Sequence, residues 1–114
     1  MARGITKEIL SGSTGGRLIK VVAVASPGTE IHTASISKDE IFLYATNTDV
    51  LTRTLFIEFG GVTSPDDLII VQIPSKSGME IIVNGLVLTT SLVVTAYASV
   101  ANTINIGGYV NRIS

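Results

Sequence analysis

Apolar residues in this chain come in short runs, and Gly, Pro, Asn, Asp and Ser interrupt them roughly every 8–12 residues. That spacing fits strands of about six residues and is too tight for a series of helices. No stretch long enough for a substantial helix shows a 3.6-residue period. The chemistry of the runs agrees: 15 Ile, 12 Val and 13 Thr make 40 of the 114 residues β-branched. Such side chains lose χ1 freedom in a helix and pack well on a pleated surface. The length corresponds to one small domain.

The strongest alternation lies in two segments. Asp39 to Thr46 places Ile41, Leu43 and Ala45 on one face and Phe42 and Tyr44 on the other. Leu51 to Phe59 sets Leu55, Ile57 and Phe59 against Thr54, Phe56 and Glu58. Further strands are expected at Leu18 to Ala25, Glu30 to Ala34, Leu68 to Pro74, Met79 to Val83, Leu86 to Thr90, Leu92 to Ala101 and Ile104 to Ile113. Ser64-Pro65-Asp66-Asp67 reads as a type I turn or one helical turn. Asn84-Gly85 reads as a tight type I′ hairpin, or else as a bend that carries the chain to the other sheet. Gly107-Gly108 suggests a bulge or a close backbone approach. The expected fold is an antiparallel β-sandwich of about seven to nine short strands, jelly-roll-like or immunoglobulin-like. The immunoglobulin Cys–Trp–Cys pattern is absent, since the chain has no Cys and no Trp.

Residues 1–16 stand apart from this pattern. Ser11 to Gly16 has the composition of a flexible linker. Ahead of it, Ile5, Ile9 and Leu10 fall at i, i+4 and i+5, one apolar face of a single helical turn. Six residues cannot hold a helix alone in water. The segment is therefore expected to be a flexible N-terminal arm, either frayed or ordered against a neighbour through Ile5, Ile9 and Leu10. Residues 17–114 form the β-sandwich domain. The first eight residues have no apolar core behind their basic groups and do not read as a signal peptide. The expectation is synthesis in the cytosol without export by a classical route.

Charge narrows the choice of partner. Eight basic and nine acidic residues give a net charge of -1, and no basic stripe forms. Nucleic-acid binding by counterion release requires such a cluster, and aromatic stacking platforms are scarce as well. No apolar run approaches the roughly 20 residues of a membrane span. The composition is too hydrophobic and too weakly charged for disorder, and without Cys there is neither a disulfide frame nor a thiolate metal site.

Catalytic constellations are lacking. His32, the one histidine, reads as a partly exposed strand residue beside Glu30, with no nucleophile elbow to serve. Asp66 and Asp67, with Glu58 or Asp49, are a weak calcium candidate; acids capping a turn account for them as well. Glu58 and Glu80 are expected to face solvent or a partner and are unlike a glycosidase pair. Gly12 to Arg17 resembles a phosphate loop only in glycine content, having neither the Gly-Lys-Ser/Thr ending nor a preceding strand. The expectation is a protein without enzymatic activity, cofactor, metal or small-molecule substrate.

The apolar residues exceed what one core needs. Leu68 to Val71, Ile81 to Val83 and Leu92 to Val94 are continuous, and Phe42 and Tyr44 oppose Ile41 and Leu43. A domain of this size buries only about two-thirds of its unfolded surface, and doubly apolar strands left bare invite edge pairing. Burial of a second face between copies of the chain, in a closed cyclic assembly, resolves the excess.

Tyr44 to Thr48, Ile57 to Gly61, Ser64 to Asp67, Ala96 to Ser99, Ala101-Asn102 and Gly108 to Ile113 together resemble small virion structural proteins of tailed bacteriophages, the kind that decorate or cement the head. The likeness covers most of residues 17–113. It implies a non-enzymatic protein, commonly a homotrimer, that sits on the outer surface of the capsid, binds the major capsid protein and its own copies, and stabilises the shell. It carries no site motif. The competing reading is a tail- or fibre-associated module that binds host-surface glycans through loops at the sandwich end. A third is a cellular adaptor or assembly subunit unrelated to phage.

Overall fold

A computed structural model describes residues 4–113; Met1 to Arg3 of the expected arm and the terminal Ser114 lie outside the described residues. The described chain is all-β. Its nine strands are β1 (Ile5–Ile9), β2 (Ile19–Lys20), β3 (Thr29–Thr33), β4 (Lys38–Asn47), β5 (Arg53–Phe59), β6 (Leu68–Ile73), β7 (Glu80–Leu88), β8 (Val93–Ala98) and β9 (Ile104–Ile113). One sheet has the order β1-β9-β4-β7, with β2 also paired to β9, and the other β3-β8-β5-β6. Every ladder is antiparallel.

The strand order decides between the two expected sandwiches. β1 and β2 meet β9 at its two ends, around Val110 and Ile106, and so act as one interrupted edge strand. First-half strands then pair with second-half strands in reverse sequence: β1/β2 with β9, β3 with β8, β4 with β7, and β5 with β6. A long hairpin rolled into two four-strand layers is a jelly roll.

Period-2 alternation builds the core. Ile41, Leu43 and Ala45 of β4 point inward with Ile104, Ile106 and Val110 of β9. The opposite sheet contributes Leu55, Ile57, Val94, Ala96 and Ala98, and all eleven are fully buried. Within this sheet the small Ala96 and Ala98 of β8 lie in register beside the larger Ile57 and Leu55 of β5.

Four expectations are corrected. Ile5 to Ile9 is not a helical turn: it is strand β1, in register with β9 from Ile5↔Ile113 to Ile9↔Tyr109. The residues after it are held rather than linker-like. Leu10 is 1% exposed in the core, Gly12 N–H donates to Ile31 C=O at 2.9 Å, and Thr33 N–H donates to Ser11 Oγ at 2.7 Å. Loop 10–18 thus leaves one sheet and closes over β3 of the other. Of the expected strand Leu18 to Ala25, only Ile19 and Lys20 join a sheet. Beyond them Ala98 N–H donates to Ala23 C=O, so residues 21–28 carry the chain from sheet to sheet. Asn84-Gly85 is neither a hairpin nor a crossing bend: both lie inside β7, where the register slips between Ile41↔Leu86 and Phe42↔Asn84. Gly85, at φ +93°, is the extra residue, and the bulge exploits the same positive-φ freedom that a turn would.

The placement of Leu10 separates core from arm. Leu10→Ala is expected to lower unfolding stability by about 3 kcal/mol through the cavity it leaves, and Ile9→Ala, at an exposed edge, by under about 1 kcal/mol. Urea midpoints of the two variants check this. Equal, small effects would mean that residues 1–10 are an unattached arm.

Candidate functional surfaces

Buried charge is confined to a few groups. Asp39 continues the inward row of Ile41, Leu43 and Ala45 by one step and has no solvent exposure. Its carboxylate accepts five hydrogen bonds. Ser35 Oγ and Arg112 Nε reach Oδ1, both at 2.9 Å. His32 Nε2 at 2.7 Å, Arg112 Nη2 at 3.0 Å and Ser35 N–H at 3.1 Å reach Oδ2. Burial pushes the Asp39 carboxyl up, but the hydrogen bonds from Arg112, His32 and Ser35 outweigh it and hold the group far below the ordinary aspartate range. The cluster fastens β3, β4 and β9 at one end of the sandwich.

His32 is fully buried, not partly exposed. Ser11 N–H donates to its Nδ1 at 3.0 Å, which leaves the ring proton on Nε2, donated to Asp39. Ser11 Oγ is itself engaged by Thr33 N–H. Neither ring nitrogen is left to take a proton from a nucleophile, and the role is structural.

Glu58 also departs from expectation: at 3% exposure it does not face solvent. Residues 26–28 fold over it. Ser26 Oγ, Gly28 N–H at 2.9 Å and Thr95 Oγ1 at 2.6 Å all donate to its carboxylate. Burial raises this carboxyl, and those three donors lower it further than burial raises it. Glu80 lies on the other sheet and is exposed. The calcium candidates are not assembled. Asp49 pairs with Arg53, Asp67 turns back to accept Thr63 N–H at 3.1 Å, and no group of three possible ligands forms among the described residues. Gly12 to Arg17 does follow a strand, β1, but no helix opens behind it. Its cleft of about 240 Å³, lined by Gly12, Thr14, Arg17, Leu18, Ile19 and Lys20, lacks the row of helix-terminal amides that a phosphate loop offers.

The outer faces of the sheets are more distinctive. On the larger sheet a cross-strand row runs over four strands. Lys7 Nζ sits 4.8 Å from the centroid of the Tyr109 ring. Tyr109 stacks on Phe42 with centroids 4.9 Å apart and planes at 17°. Phe42 abuts Gly85, where a Cβ would stand 3.4 Å from its ring. A second row lies beside it: Leu18 covers Gly107, where a Cβ would press on the tip of the half-exposed Leu18 side chain, and Gly107 and Ile81 are the register partners of Tyr44. Ile81 is 62% exposed, Met79 54%, Ile9 52% and Leu18 49%. A sandwich facing water carries polar residues at such positions. The smaller sheet repeats the theme with Phe56 stacked on Tyr97 at 4.6 Å and 9°.

Of the three arm residues expected to touch a partner, Ile5 and Ile9 are exposed and share the outer face of the larger sheet with Tyr109, whereas Leu10 is withdrawn into the chain's own core. Extending the inward row of β4 two residues back from Ile41 reveals Asp39 as inward-facing. Nothing local in the sequence marks Arg112 as its partner, 73 residues away.

No family model, curated protein or solved structure matches the chain.

The buried carboxylates set an acid limit. Asp39 has an ordinary pKa of 3.8 and a folded value below it, so near and below about pH 4 the unfolded chain binds more protons than the folded one. The stability this provides is complete above the unfolded value and is lost as pH falls toward the folded one; Glu58 acts in the same sense. Asp39→Asn is expected to cost about 2 kcal/mol at neutral pH, where Arg112, partly solvated, loses its partner. The variant should also be less acid-sensitive than the parent between about pH 6 and about pH 3. Urea unfolding across that range tests both; an unchanged acid slope would remove Asp39 from the account.

Proposed function

We propose that this chain is a non-enzymatic structural protein of the head-decoration kind, which acts by assembling: it binds the major capsid protein of a tailed phage and its own copies, on the outer surface of the shell. The observation that carries the reading is the outer face of the larger sheet. Ile9, Leu18, Met79 and Ile81 surround the Phe42–Tyr109 stack there with more than incidental apolar exposure, and contiguous apolar surface on a small domain marks a contact site. The resemblance of the segments from Tyr44 to Ile113 to small virion proteins supplies the partner. A jelly roll is a frequent choice for capsid-associated domains, although fold alone does not establish function. Many copies held weakly on a lattice bind jointly far more tightly than one.

The glycan-binding alternative is less well supported. Sugar recognition by stacking needs an open ring face. In the Phe42–Tyr109 pair each ring gives one face to the other, Gly85 lies against Phe42 and Lys7 Nζ stands over Tyr109.

The test incubates the purified chain with heads from the phage that encodes it and sediments them. Wild type is expected in the pellet at a fixed ratio to the major capsid protein. Ile81→Glu, an exposed change that should leave folding intact, is expected to stay in the supernatant at least tenfold more. A wild-type chain that remains free of heads but binds on a glycan array would replace this reading with the tail-module one.

A further inference from the structure

The four sheet edges of this sandwich are not equally protected. An open edge strand presents unpaired N–H and C=O groups and is normally blunted by charge, proline, bulges or a covering loop. The β1/β2 edge is interrupted by loop 10–18 and carries Lys7 and Glu8. The β3 edge is covered by Ser11 and Gly12. The β7 strand is broken by two register shifts. β6, Leu-Ile-Ile-Val-Gln-Ile, has none of these devices: no charge, no proline, no bulge, and, among the described residues, β5 as its one ladder partner.

The direction of its free groups follows from the register. Phe59 N–H donates to Asp67 C=O at 2.8 Å, which makes 59 and 67 a hydrogen-bonded pair. Such pairs alternate along an antiparallel ladder. In the register Ile57↔Ile69, Leu55↔Val71 and Arg53↔Ile73, residues 69, 71 and 73 face β5. The other edge of β5 agrees, since Thr54 and Gly60 bond to Ser99 and Val93 on the β8 side. Leu68, Ile70 and Gln72 therefore aim their backbone groups away from β5. Leu68 N–H is taken by Pro65 C=O at 3.2 Å, and among the described residues no loop hydrogen bond reaches Ile70 or Gln72.

We infer that β6 pairs antiparallel with β6 of a second copy about a two-fold axis at Ile70. The outward set 68, 70, 72 is symmetric about Ile70, so in the self-pairing the two Ile70 residues exchange both bonds and Gln72 N–H meets the C=O of Leu68, whose own N–H stays with Pro65. The strand carries no charge to repel its own image. Side chains continue across the contact as well. Ile70, 58% exposed, is the register partner of Phe56, and Phe56 stacks on Tyr97. Pairing therefore joins Tyr97, Phe56 and Ile70 to the same three residues of the second copy, in one row across an eight-stranded sheet. The contact is isologous, so it yields a dimer alone or an even-numbered assembly where further contacts operate. It does not depend on attachment to a shell.

A chain without cysteine allows a direct test. Across a hydrogen-bonded antiparallel pair the Cα atoms are about 5.5 Å apart, so Ile70→Cys should crosslink to itself in high yield with a short bismaleimide. Gln72→Cys places its two copies about 14 Å apart along the strands and should crosslink at least fivefold less. Ile70→Pro removes an N–H that β5 does not use, a substitution that edge strands tolerate, and should halve the solution mass. Equal crosslinking at 70 and 72, no crosslinking at either, or a folded Ile70→Pro variant of unchanged mass overturns the proposal. So does protection of the Ile70 and Gln72 amides that appears only on phage heads, which would assign the edge to a shell strand. Failure to sediment with heads leaves these results unaffected and bears on the functional reading alone.

Discussion

Strands this apolar cannot persist singly in water, and the constraint that organises the molecule is that each inward row be covered by the row of the opposite layer. Ile41, Leu43 and Ala45 have no stable surroundings until Leu55, Ile57, Val94 and Ala96 lie across from them. In a jelly roll this covering is non-local by construction, because early strands pair with late ones: β4 forms ladders with both β7 and β9. Loop-closure entropy must be met before those contacts form, and folding is expected to be slow for a domain of this size.

The polar groups inside are placed where they tie layers and ends together. Asp39 joins three strands through His32, Ser35 and Arg112. Asn47 Nδ2 donates to Leu51 C=O and Ile73 C=O and fastens the far end of β4 to the opposite sheet. Glu58 holds the crossing segment 26–28 against β5 and β8. Among the described residues no buried side-chain polar atom lacks a partner, as burial of polar groups requires. These bonds specify which end and which register the sheets adopt; hydrophobic cover alone does not.

The fold class, the strand-rich pattern and the inward rows of β4 and β5 were legible in the sequence, because period-2 alternation is a local property. What was hidden depended on long-range contacts. Leu10 and Ile9 are adjacent and chemically alike, yet one fills the core and the other lies exposed, since a strand sends neighbours to opposite faces and a helical reading does not. Asn84-Gly85 has the chemistry of a turn, and β4 alongside it converts that chemistry into a bulge. Leu18 to Ala25 looks like one strand, but the chain must change sheets after Lys20, and its apolar residues line the crossing. His32 and Glu58 gave no local hint of burial because the loops that cover them come from residues 11 and 26–28. Of the candidate surfaces, the doubled apolar faces were visible from Phe42 and Tyr44 against Ile41 and Leu43. The unguarded β6 edge needed the strand order.

Both exposed features, the aromatic face of the larger sheet and the bare β6 edge, are tolerable in a protein that works as an assembly and hazardous in one that works alone. Sedimentation equilibrium of the full chain at neutral pH, over a wide range of concentrations, tests that claim most directly. Self-association through β6 predicts a mass at an even multiple of the 12.0 kDa chain. A single species of 12.0 kDa at every concentration would contradict it.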